Sequence, residues 1–136
     1  MITSEDIAIN VRNVLIASCP GLTVSWQRHG YEQTTEAVIV PHTAQGEASI
    51  RTAVVKVNIH VPDIYDNASK CYETDLGTIN TLKKQVIEAL KRHVLPGTGI
   101  NWRVTSLDPA IKEPDHNEHF ASVNVEAYIR ERSTNN

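Results

Sequence analysis

The chain has 136 residues, 40% hydrophobic and 21% charged, which suits one domain with a single core and excludes a disordered segment. Its net charge of −3 and pI near 6.0 argue against a protein that holds nucleic acid by neutralising phosphates. Aromatic residues make up only 5%, so the core is expected to be aliphatic, built from Val, Ile and Leu. Two cysteines, Cys19 and Cys71, form no disulfide framework and read as a reduced thiol pair. No basic-then-apolar leader opens the sequence and no apolar run reaches membrane-spanning length, so a soluble protein is expected, with no membrane partner.

Thr3-Ser4-Glu5-Asp6 reads as a helix start, with a capping hydroxyl and first-turn acids that suit the helix dipole. Ile7, Val11, Val14 and Leu15 then form one apolar stripe, and Cys19-Pro20-Gly21 stops it. Leu22 to Arg28 alternates weakly as a short strand, and His29-Gly30-Tyr31 punctuates it. Glu36 to Pro41 is a second strand. His42 to Ser49 is polar, contains Gly46 and reads as a loop at a hairpin tip, a segment that would order on contact with a partner.

Ile50 to Pro62 is the stretch around which the rest is organised. Val55, Val57, Ile59 and Val61 alternate with Lys56, Asn58 and His60, which gives a half-buried strand with one apolar face. Pro62 suits its end, since proline cannot donate to the ladder. Asp63 to Thr74 reads as a polar connection. Leu76, Ile79, Val86, Ile87, Leu90 and Val94 recur at helical spacing over Asp75 to Val94 and supply a cover for the strand. Pro96-Gly97-Thr98-Gly99 ends that helix. Ile100, Trp102 and Val104 alternate, as do Ala121, Val123, Val125, Ala127 and Ile129, so the chain closes on a strand pair. Residues 133 to 136 are a polar tail. Strands cluster instead of alternating with helices. The expectation is one α+β domain over residues 1–136, with a mostly antiparallel sheet of about five strands and two helices packed on one face.

Chemistry is sparse. Asp115-His116-Asn117-Glu118-His119 gathers metal-ligand side chains, and with His60 or His42 it could serve a small metal-dependent enzyme or ligand-binding module. Yet its histidines are three apart, not the four of the helical zinc motif, and a solvated hairpin loop is the preferred reading. His60 lies on the polar face of its strand, as a surface or interface histidine. His29 and His42 sit in loops. Neither cysteine has a local nucleophile signature. Gly97-Thr-Gly99 lacks the remaining glycine, the lysine and the following helix of a phosphate loop. Lys83, Lys84, Lys91 and Arg92 make a solvated basic helix face. No catalytic, cofactor-binding or metal residue is assigned, and no cofactor is expected.

The order of elements, the run Val55-Lys-Val-Asn-Ile-His-Val-Pro62, the helix over Thr78 to Val94 and the closing strand Ala121 to Arg132 resemble tail-terminator and tail-completion proteins of long-tailed bacteriophages and prophages. The likeness covers nearly the whole chain as architecture, and it brings no functional residue with it. The resemblance implies a structural virion protein and no enzyme: a ring homo-oligomer, hexameric when assembled, that caps the tail tube and meets the head-tail connector. It would reside in the virion tail or neck, and in the bacterial host cytoplasm during assembly. A mildly acidic ring suits DNA passage, because it does not hold the phosphates.

Overall fold

The computed structural model describes residues 2–47, 50–91, 94–95, 100–106 and 108–130. The polar tail at 133–136 and the Pro96 to Gly99 break lie outside the described residues. Helix α1 spans Ser4–Ser18, followed by β1 (Thr23–Ser25), β2 (Glu36–Glu47) and β3 (Ile50–Pro62). Strands β4 (Ile64–Asp66) and β5 (Cys71–Glu73) precede helix α2 (Leu76–Lys91). The chain closes with β6 (Val94–Leu95), β7 (Ile100–Thr105), β8 (Ile111–Lys112) and β9 (Glu118–Arg130).

The fold is α+β. A seven-stranded sheet runs β1-β2-β3-β9-β7-β6, with β8 also on β9, and every pairing but β1–β2 is antiparallel. The two strands beyond the expected five are the two-residue β6 and β8, too short to carry a periodic signal. β3 lies at the centre and pairs along its whole length with β9. Its alternation sorts the molecule into two faces. Val55, Val57, Ile59, Val123, Val125 and Ala127 are fully buried beneath both helices, against Ile7, Val11 and Leu15 of α1 and Val86 and Leu90 of α2. Lys56, Asn58, Ser122 and Asn124 face the other way and stay half-buried.

Both helix starts carry caps. Thr3 Oγ1 accepts from Asp6 N–H at 3.1 Å while Asp6 Oδ2 accepts from Thr3 N–H at 2.9 Å, a reciprocal capping box. Asp75 Oδ1 accepts from Thr78 N–H at 3.1 Å at the head of α2. At the other end of α2, Trp102 Nε1–H donates to Leu90 O at 2.6 Å, joining a carbonyl near the helix end to β7.

Three sequence expectations change. His42 to Ser49 is not a loop up to Glu47: β2 continues, with Thr43 opposite Val54 and Glu47 opposite Ile50, and residues 48–49 lie outside the described residues. The weak strand formers Gln45, Gly46 and Glu47 are carried by β3, which β9 holds straight on its far side; tertiary pairing overrides local preference. His42 itself is the extra residue of a β-bulge between Pro41 and Thr43. Secondly, the long helix ends its described course at Lys91. Val94 pairs with Asn101 in β6, and Leu76 is 63% exposed at the helix start, off the buried stripe. Thirdly, Asp63 to Thr74 is not a plain connection but contains the hairpin β4–β5.

Leu90 is fully buried between α2 and the sheet, so Leu90→Ala should cost about 2–5 kcal/mol of stability. Denaturant melts of the two chains check it; a change under about half a kcal/mol would place Leu90 outside the core.

Candidate functional site

The densest polar group lies on the open face, where Glu36 begins β2, His60 nears the end of β3 and Glu118 begins β9. Antiparallel register sets these three strand ends side by side, with Glu36 opposite His60 and Glu118 opposite Pro62. The connection between β1 and β2 folds over them and delivers Arg28. The Arg28 side chain is 4% exposed, that of Glu36 3% and that of Glu118 0%.

Each group is satisfied. Arg28 Nε–H and Nη2–H donate to Glu118 Oε2 and Oε1 at 3.2 and 2.9 Å, a bidentate pair. Nη1–H donates to Glu36 Oε1 at 3.1 Å and reaches Thr34 Oγ1 at 3.4 Å, and Nη2–H also donates to Thr34 O at 2.6 Å. All five guanidinium N–H groups therefore have an acceptor. Glu118 Oε1 further accepts from Glu32 N–H at 2.7 Å, and Oε2 from His60 Nδ1–H at 3.0 Å. Glu36 Oε1 accepts from His29 N–H at 2.9 Å, and its Oε2 lies 2.8 Å from Ser25 Oγ and 3.2 Å from His29 Nδ1.

The connection is shaped to reach these atoms. Gly30 O accepts from Gln33 and Thr34 N–H at 3.1 and 3.0 Å, and a Cβ on Gly30 would run into Thr34 Oγ1. Glu32 adopts φ 63°, a left-handed conformation uncommon for a non-glycine, and that turn presents its N–H to Glu118. Tyr31 stacks on His116 with ring centroids 4.0 Å apart, and Glu32 Oε1 accepts from Asn117 N–H at 3.0 Å, lacing this connection to the turn before β9.

Burial opposes charge at Glu36, but the His29 N–H, the Ser25 hydroxyl and Arg28 hold its carboxyl down at about 2. Burial likewise works against Glu118, and Arg28 with the Glu32 N–H outweighs it, leaving the carboxyl below its ordinary range. Burial lowers the pKa of Arg28, but Glu118 and Glu36 raise it further. At His60 burial wins over the attraction of Glu118 and keeps the ring neutral to lower pH than a free histidine.

The segment Asp115 to His119 does not assemble as one ligand set. Alternation along β9 sends Glu118 to the open face and His119 to the helix side. His119 Nδ1 sits 2.6 Å from Asp63 Oδ1, while His116 stacks on Tyr31 and Asp115 is exposed in a left-handed turn. His42 is exposed at the bulge, many residues along the hairpin from His60. His60 is not a surface histidine but 6% exposed. The structure instead brings His60, Glu113 and Glu118 together, with a ligand atom of each within 4.8 Å of the others. The donor set fits a cation poorly: the four acceptor positions of Glu118 are filled, and two of them face the Arg28 guanidinium.

Asp63, His119 and Thr74 superficially resemble an acid–base–nucleophile relay. Thr74 Oγ1, however, is 3.0 Å from Nε2 and 3.3 Å from Nδ1 of the same ring, so it sits over the ring instead of in line with either nitrogen's lone pair. Cys19 is buried, which pushes its thiol pKa up, and Cys71 is exposed beside Ser69 Oγ at 3.0 Å. The polar cluster acts as a clasp that fixes the 26–35 connection to three strand ends. Among the described residues no helix is long and apolar enough to cross a membrane. No protein-family model and no curated protein matches this chain.

Arg28→Met should destabilise the fold by about 3–5 kcal/mol, because it leaves two carboxylates buried without their cation. Stability should also fall steadily on acidification. The folded pKa of His60 lies below its ordinary 6.5 and that of Glu36 falls from 4.5 to about 2, so the unfolded chain binds protons first. The His60 contribution is lost below pH 6.5, and the Glu36 contribution between pH 4.5 and about 2. Melts across pH test both claims: His60→Gln should flatten the upper part of the decline, and an Arg28→Met chain as stable as the parent would show the clasp carries no weight.

Proposed function

We propose that this chain is a structural subunit of a phage or prophage tail, a tail terminator or completion protein that forms a ring on the tail tube beneath the head connector and has no catalytic role. The observation that carries most weight is how the molecule distributes its side chains. Arg28, Glu36, His60 and Glu118 are buried and engaged with one another in the clasp, while Ile64, Tyr65, Tyr72 and Leu76 lie about half exposed or more on and beside the β4–β5 hairpin. Apolar surface displayed on a rigid scaffold suits a protein made to be packed against others. The resemblance of the element order and of the β3 run to tail terminators supplies the particular assembly, and a net charge of −3 suits a channel that lets DNA pass.

A second reading keeps His60, Glu113 and Glu118 as a divalent-metal centre of a small enzyme or binding module, favoured by their mutual proximity. It is the weaker one, since a metal would have to displace the His60 bond to Glu118 and sit beside a guanidinium.

Three measurements separate them. The purified protein, alone or with tail tubes, should give closed rings by negative-stain electron microscopy, and phage lacking the gene should make tails that do not join heads. Elemental analysis should find no stoichiometric metal. Near-equimolar zinc or manganese, lost in Glu113→Gln, would reverse the ranking.

A further inference from the structure

Residues 28–35 differ from the rest of the domain in what holds them. They supply nothing to the aliphatic core, and the half-buried apolar side chains packed against that core also come from elsewhere. His29, Tyr31, Glu32, Gln33 and Thr34 are exposed. The attachments end on a few polar or ring groups: Arg28 and the His29 N–H on Glu36, Arg28 and the Glu32 N–H on Glu118, and Tyr31 and Glu32 on His116 and Asn117. Both flanks are anchored independently. Val24 of β1 packs on the core and Trp26 lies under the Arg12 guanidinium of α1, 5.6 Å from its ring centroid, while Ala37 and Ile39 of β2 are buried beyond the segment.

Lifting such a segment uncovers charge, not apolar surface. Glu118, Glu36 and His60 are 0%, 2% and 6% exposed in the closed arrangement. Water would hydrate the freed carboxylates and the guanidinium, which offsets much of the lost attraction. The left-handed turn at Glu32, with φ 63°, could relax at the same time. Peeling a helix from the sheet would instead expose Val55, Val57 and Leu90 to water.

We propose that residues 28–35 form a strap that releases from the sheet as one unit while the sheet and both helices stay folded, and that release uncovers the carboxylates of Glu36 and Glu118 together with His60. The device belongs to the fold and is independent of the ring reading.

The test is amide hydrogen exchange of the full chain, followed residue by residue by nuclear magnetic resonance. The His29, Glu32 and Thr34 N–H groups bond to three different acceptors, Glu36, Glu118 and Gly30 O. Release as a unit gives them one common protection factor, at least about tenfold below that of Val57 and Asn58 in the centre of β3. Low urea should leave the strap amides unchanged, because release exposes little surface, while Val57 and Asn58 steadily lose protection. Leu90→Ala should speed exchange at Val57 and Asn58 by about thirtyfold or more and leave the strap amides alone, since Leu90 stays buried when the strap lifts. Unequal protection among the three strap amides overturns release as a unit. Strap amides as slow as Val57, or accelerated equally by Leu90→Ala, belong to the global unfolding unit and also overturn it. If the Leu90→Ala chain does not fold, the urea series decides alone: strap amides with the same urea dependence as Val57 overturn the proposal.

Discussion

The pairing of β3 with β9 is the constraint from which the rest follows. Thirteen residues of each strand lie in unbroken register, Ile50 opposite Arg130 through to Pro62 opposite Glu118. Side chains alternate along both strands, so the register decides at once which residues the helices must cover and which remain on the open face. A slip of one residue would put Lys56, Asn58 and His60 under the helices and expose Val55, Val57 and Ile59. The aliphatic residues under α1 and α2 therefore enforce the same register that places Glu118 and His60 together on the other side.

Buried ion pairs are poor evidence of net stabilisation, because desolvation offsets much of the Coulomb gain. What the Arg28 clasp adds is specificity. Its fork of donors matches the carboxylates of Glu36 and Glu118 and the carbonyl of Thr34, which ties the 26–35 connection to the starts of β2 and β9. The left-handed Glu32 is the local strain that this conformation accepts, while Gly30, with no Cβ, leaves room for Thr34 Oγ1. Tyr31 and Glu32 then carry the order outward to His116 and Asn117.

The parts legible in the sequence are those whose signal is local. Val55 to Val61 and Ala121 to Ile129 declare their faces by alternation, and Thr3 with Asp6 declares a helix start by spacing alone. The clasp is different. Arg28 and Glu118 are 90 residues apart, and nothing in either one's neighbourhood distinguishes it from a solvated charge. Glu118 stood in a run of polar residues that invited a metal reading, while its partner lay in a segment read as a plain strand and turn. The single available hint was that Glu36 and Glu118 each open a strand. The continuation of β2 past His42 was hidden for the opposite reason: Gln45, Gly46 and Glu47 advertise a turn, and only pairing with Thr52, Arg51 and Ile50 holds them extended.

The extra residue at His42 also governs what the hairpin cannot do. An uninterrupted β2 would offer a straight row of backbone donors and acceptors beyond Val38, a template on which copy after copy could add strands without limit. Pro41 withholds a donor at one step, and the bulge throws the ladder out of phase at the next. Growth by backbone pairing is frustrated along that edge, and the sheet is kept to the strands that the chain itself supplies.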